Sequence, residues 1–131
     1  MSAAPIYNRV ALIGLGLIAS SMAHAMRAGG LAGVIVGHAK SAETRAVALD
    51  IGFCDRVYDT AAEAVQGADL VVLAVPIGAM GALAAEIGPH LAPGATVTDV
   101  GSVKQAVIEA VSPHIPAGVH FIPGHPMAGT E

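Results

Sequence analysis

Apolar residues fall into short runs punctuated by glycine and proline, and strand-length runs alternate with longer helical ones. Residues 10–13 form an unbroken apolar run that ends at Gly14, and continuous apolarity at that length marks a strand covered on both faces. Leu17–Ala28 reads as a helix stopped by Gly29-Gly30. Residues 34–36 are a second β-branched run, followed by Ser41 as N-cap of a helix over Ala42–Ile51 that Gly52 closes. Val57 and Tyr58 supply a short third strand, and Thr60 with Glu63 has capping-box spacing for a helix through Gln66. Residues 70–75 are the most continuous apolar run, Pro76 marks their end, and a helix through Ile87 follows. Residues 96–100 give a fifth strand, Lys104–Val111 a helix stopped at Ser112-Pro113, and residues 119–122 a sixth strand.

Strands that alternate with helices predict a parallel sheet, and right-handed crossovers on both faces predict a doubly wound α/β domain with strand order 3-2-1-4-5-6. At 131 residues the chain holds one such domain, and no repeat or charge run interrupts it. Two segments compete with that reading. Residues 1–25 imitate a secretory signal, with Arg9, an apolar stretch and Ala23-His24-Ala25, but the alternation needs residues 10–13 as its central strand. Residues 70–85 carry no charge, yet they are shorter than the roughly 20 residues that span a bilayer and contain Pro76, Gly78 and Gly81.

Composition narrows the picture. Hydrophobic residues make up 54% and charged residues 12%, the opposite of a disordered chain. Six Lys and Arg against ten Asp and Glu leave a net charge of −4 and no large basic field for nucleic acid or anionic lipid. The single cysteine, Cys54, cannot close an internal disulfide; it reads as a small buried hydrophobe of a cytoplasmic protein.

Candidate chemistry sits where strands end. Gly14-Leu15-Gly16-Leu17-Ile18-Ala19 is the dinucleotide pattern with alanine at the third position. Gly14 permits the sharp exit from the strand, Gly16 lets a pyrophosphate approach the backbone, Ala19 lets helix and strand pack, and the first-turn amides of Leu17 and Ile18 face the phosphates. A glycine turn of this kind can also serve only the chain's own geometry. Val75 and Pro76, at the exit from the fourth strand, are expected against the cofactor. The second strand ends in Gly37-His38-Ala39-Lys40, with Arg45 beyond. No acid stands there to bind a ribose 2'-hydroxyl, so both NAD and NADP are admitted, with a lean to NADP through His38 and Lys40; Lys40 and Arg45 read otherwise as a solvated helix face. Asp99-Val100-Gly101-Ser102-Val103-Lys104 and Pro123-Gly124-His125-Pro126-Met127-Ala128-Gly129-Thr130-Glu131 follow the fifth and sixth strands. His125 lies between backbone-restricting Gly124 and Pro126 and is the candidate general base. His24, His90, His114 and His120 read as ordinary histidines, and no Cys or carboxylate cluster completes a metal site with His114, His120 and His125, so no metal is expected.

Taken together, the residue 14–21, 99–104 and 124–131 blocks resemble the prephenate/arogenate (cyclohexadienyl) dehydrogenases of tyrosine biosynthesis, over essentially the whole chain. The resemblance implies a Rossmann nucleotide-binding domain and oxidative decarboxylation of prephenate to 4-hydroxyphenylpyruvate or of arogenate to tyrosine. It assigns His125 and Ser102 to catalysis and the C4 oxygen of the substrate, and Thr130 and Glu131 to the substrate mouth; Lys104 is either a ligand or simply the start of a helix. Ala19 departs from the family's common glycine, and the second strand lacks the acid of strictly NAD-dependent members. The family also continues into a helical domain that supplies dimer contacts and an arginine for a substrate carboxylate. The chain is therefore expected to be the nucleotide-binding half of a homodimeric enzyme that acts on a small molecule, with little activity alone. Another two-domain reductase, acting on a β-hydroxyacid or an imine, shares the fold and the glycine turn without needing Gly124-His125-Pro126. A nucleotide-binding regulatory module needs only the first motif.

Overall fold

The computed structural model describes residues 6–52, 54–100 and 104–123. Its elements are β1 (Tyr7–Ile13), α1 (Leu17–Ala28), β2 (Ala32–His38), α2 (Ala42–Ile51), β3 (Arg56–Val57), α3 (Ala61–Val65), β4 (Leu70–Leu73), α4 (Ile77–Ile87), β5 (Thr96–Asp99), α5 (Lys104–Val111) and β6 (His120–Phe121). The six strands form one sheet in the order β3-β2-β1-β4-β5-β6, and every pairing is parallel. This is the doubly wound arrangement and order that the alternation predicts.

Alternation of side chains assigns each strand residue to one of two cores. Val10, Leu12, Ile35, Leu70 and Val72 pack with Ala19, Ala23 and Met26 of α1 and Ala48 of α2. Ala11, Ile13, Val36, Val71, Leu73 and Val97 pack on the opposite face with α3, α4 and α5, through residues such as Val65, Met80, Ile87, Val107 and Val111. Both faces of β4 and of residues 10–13 in β1 are therefore buried, which is why those runs show no polar alternation. Each large aliphatic side chain in these layers contributes about 1.5–3 kcal/mol by leaving water. Cys54 is buried in the first core, and burial pushes its thiol up from 9.0 to about 11, the nearby Arg27 charge opposing that rise and Asp55 adding to it.

Local signals set most helix ends. The Ser41 hydroxyl accepts from the Thr44 amide at 3.3 Å, and α2 closes on Gly52 in the left-handed conformation at φ 93°. The Thr60 hydroxyl accepts from the Glu63 amide at 3.1 Å and donates to the Glu63 carboxylate at 3.0 Å, so the capping-box spacing delivers the α3 start.

Strand limits differ from the pattern where polar contacts rule. β1 begins at Tyr7 and not at residue 10, because the Asp69 carboxylate accepts from the amides of Asn8 and Arg9 at 2.8 and 2.9 Å. β2 spans Ala32–His38, longer than its apolar centre, since it follows β1 from Tyr7↔Ala32 to Ile13↔His38. β4 stops at Leu73 although apolarity continues to Val75, because its neighbour β1 ends at Ile13. β3 takes in Arg56 and leaves out Tyr58, α3 ends at Val65, β5 ends at Asp99, and β6 is limited to His120–Phe121. After α5 the chain makes a further 3-10 turn over Ser112–His114. The first segment is the centre of the sheet, as the strand reading of residues 10–13 requires. Among the described residues no helix is long and apolar enough to cross a membrane.

Candidate cofactor site

The sheet order reverses at β1, which has β2 on one side and β4 on the other. Crossovers leave in opposite directions from such a point and open a crevice at the carboxyl ends of the strands. Here the crevice is a cleft of about 810 Å³. Gly14 from the β1 exit, His38 and Lys40 from the β2 exit, and Val75 and Pro76 from the β4 exit all line it. Five of the predicted cofactor residues thus meet at one place.

Gly14 is required twice over. Its φ of 97° lies in the left-handed region, and a Cβ there would stand 2.5 Å from the Ala74 carbonyl oxygen. Its amide donates to the His38 carbonyl at 2.8 Å, which ties the turn to the end of β2.

Gly16 differs in kind. It is exposed and forms the N-cap of α1 with φ −89°, and a Cβ added to it would meet no atom within 4 Å. Among the described residues no side chain caps α1, whereas Ser41 and Thr60 cap α2 and α3. The first-turn amides of α1, those of Leu17 and Ile18 among them, lack a capping side chain and carry the positive end of the helix dipole. A pyrophosphate fits that vacancy in the donor set, and the bare Gly16 backbone gives it access. Ala19 lies away from the cleft, fully buried against the sheet, as its packing role predicts.

The loop after β2 is built by side chains whose jobs the sequence conceals. The Arg45 guanidinium donates to the carbonyls of Ala39 at 2.6 Å and Lys40 at 3.2 Å, and lies 3.5 Å from the Asp59 carboxylate. It braces the loop and is not a member of the cleft wall. His38 Nδ1 lies 2.9 Å from the Tyr58 carbonyl oxygen, which fixes the ring. Burial raises the Tyr58 phenol, but hydrogen bonds and charge from Arg56 and Arg9 outweigh it and hold the group below its ordinary 10.0; Arg9 donates to the phenolic oxygen at 2.7 Å.

The far wall of the cleft carries no sequence motif. Ala79, Ala82, Leu83 and Glu86 line it from α4, and their three- and four-residue spacing is the signal that places them on one helical stripe. Ser102, His125, Thr130 and Glu131 lie outside the described residues. Lys104 is the first residue of α5. His24, His90, His114 and His120 are exposed, and among the described residues no three His, Cys, Asp or Glu side chains are grouped to hold a metal ion.

Comparison with known proteins agrees with this geometry. Residues 22–131 match the family model described as the prephenate dehydrogenase nucleotide-binding domain; the glycine turn precedes the matched region. The chain is 41% identical over 128 residues to a cyclohexadienyl dehydrogenase of Zymomonas mobilis, covering 96% of this chain and 43% of that protein. It is 33% identical over 125 residues to the prephenate dehydrogenase of Bacillus subtilis, covering 95% of this chain and 34% of the relative. Among solved structures, prephenate dehydrogenase from A. aeolicus, in complex with hydroxyphenyl propionate and NAD+, superposes with a TM-score of 0.82 at 29% identity, over 100% of this chain and 44% of that one. Synechocystis arogenate dehydrogenase does so with a TM-score of 0.79 at 32% identity, over 90% and 40%. The chain thus spans less than half the length of these relatives. With a family match that covers most of its residues and a doubly wound sheet opening on a nucleotide-sized cleft, the chain belongs to the prephenate dehydrogenase nucleotide-binding domain family.

Proposed function

We propose that this chain is the cofactor-binding half of an NAD(P)-dependent enzyme of tyrosine biosynthesis, one that oxidatively decarboxylates prephenate, arogenate or both. The observation that carries the reading is the family match itself, which runs through both strand-end blocks, residues 99–104 and 124–131. A bound nicotinamide would supply the hydride acceptor for C4 of the cyclohexadienol, whose hydroxyl would become a carbonyl with loss of carbon dioxide from the aromatising ring. Aromatisation supplies the driving force, so the protein has to align the reactants and stabilise charge at the C4 oxygen. In this proposal the imidazole of His125 accepts the hydroxyl proton, and its contact with the oxygen tightens as the carbonyl forms. Ser102 holds the same oxygen or orients His125, and Thr130 and Glu131 line the substrate mouth. Gly14, Gly16 and the α1 amides hold the pyrophosphate, with Val75 and Pro76 against the cofactor. Lys40 is the cation available to a 2'-phosphate. The proposal extends to a cytoplasmic homodimer assembled through a helical domain.

The test uses the full-length protein with prephenate and arogenate, each with NAD and NADP, followed by reduced-nicotinamide absorbance. His125→Asn is expected to lower turnover by about a hundredfold or more while leaving cofactor affinity in place. Unchanged turnover points instead to a reductase that does not use this segment. Full dehydrogenase activity in the isolated 131-residue chain would contradict the division of labour proposed here.

A further inference from the structure

We propose that His38 selects the dinucleotide by offering a lone pair to the adenosine ribose, so that a free 2'-hydroxyl is favoured over a 2'-phosphate; this rests on the dinucleotide reading above. His38 is the last residue of β2, in register with Ile13, and its carbonyl accepts from the Gly14 amide at 2.8 Å. It is therefore anchored beside the glycine turn and is one of the residues that line the cleft. Its Nδ1 lies 2.9 Å from the Tyr58 carbonyl oxygen. A carbonyl only accepts, so Nδ1 must carry the hydrogen, and in the neutral ring Nε2 is left with a lone pair and nothing to donate. No described residue bonds to Nε2.

That arrangement substitutes for the missing acid. A ribose 2'-hydroxyl donates to Nε2 as it would to an aspartate. A 2'-phosphate presents only acceptor oxygens at alkaline pH and meets lone pair with lone pair, a desolvated mismatch. The surrounding charges do not reverse this. Arg45 is committed to the Ala39 and Lys40 carbonyls and to Asp59, and Arg9 is bonded to the Tyr58 phenol. Among the described residues that line the cleft, Lys40 is the one cation and Glu86 the one carboxylate. The lean toward NADP rests on the lack of an acid beside His38 and Lys40; the bond to Tyr58 leaves the neutral His38 ring an acceptor at Nε2.

The experiment is titration calorimetry of NAD and NADP at about pH 8.5, on the protein and on His38→Ala and His38→Asp. The protein is expected to bind NAD more tightly. His38→Ala lowers NAD affinity about fivefold with NADP affinity unchanged or improved, and His38→Asp restores the preference or widens it. Both ligands are measured on the same protein, so any loss of folded fraction cancels in their ratio. Tighter binding of NADP at that pH, or the same ratio in His38→Ala, overturns the proposal while leaving the dinucleotide reading intact. Binding of neither ligand overturns both.

Discussion

Two glycines two residues apart should fail in opposite ways when each is replaced by alanine. At Gly14 the backbone sits at φ 97°, where an L side chain costs about 1–2 kcal/mol. The new methyl would also stand 2.5 Å from the Ala74 carbonyl oxygen and 2.8 Å from its carbon, so β4's exit must move. Forced repacking of this kind adds about 1–3 kcal/mol. Gly14→Ala should therefore destabilise the fold by about 2–5 kcal/mol, read as a lower urea midpoint by circular dichroism. At Gly16 φ is −89° and no atom lies within 4 Å of the added methyl. The remaining penalty is the poorer capping tendency of alanine, under about 1 kcal/mol. In the proposed binding mode that methyl would occupy the space a pyrophosphate needs, so Gly16→Ala should lose dinucleotide affinity by about tenfold or more, equivalent to about 1.4 kcal/mol. The protein lacks tryptophan, so calorimetry is the suitable binding assay. Equal destabilisation by the two substitutions, or full cofactor affinity in Gly16→Ala, would refute the separation of a folding glycine from a binding one.

Three further outcomes follow from two side chains outside the cleft. Asp69→Ala removes the acceptor for the Asn8 and Arg9 amides and should cost about 2 kcal/mol in urea denaturation; a loss below about 0.5 kcal/mol would show that water replaces the carboxylate without penalty. The buried Cys54 thiol, raised from 9.0 to about 11, should resist alkylation at about pH 8 in the folded protein and react once urea unfolds it. A group whose folded pKa is raised stabilises the fold fully below its unfolded value. The Cys54 contribution is therefore present below pH 9.0 and lost as pH rises to about 11. Cys54→Ala should flatten that part of the stability profile, and an identical decline in both proteins would remove the thiol as its cause.

The architecture was legible because its signals are strong and local. Apolar runs buried on both faces, glycine stops and two hydroxyl caps specify strand order, the central position of β1 and the bounds of α1, α2 and α5. Hydropathy did not reveal interactions between residues far apart in sequence. Asp69 extends β1 by holding amides 60 and 61 residues away, and nothing in the run at residues 10–13 signals this. Arg45 reads as a solvated cation, yet it braces two carbonyls of the preceding loop. The strand-exit residues that line the cleft were legible because a strand's end is fixed by its pattern. Glu86 and Ala82 were missed because a cleft-facing stripe on α4 looks like any other helix face.

Because the strand near the middle of the sheet precedes the other five described strands in the chain, each later one meets a template as it is made. β2 and β3 add on one flank of β1, and β4, β5 and β6 then add on the other, always against a strand already made. Growth of this kind suits synthesis in the N-to-C direction, since none of the six described strands waits for a later insertion. The vulnerable stage is the interval before β4 emerges, when one border of β1 stands unpaired and is open to self-association.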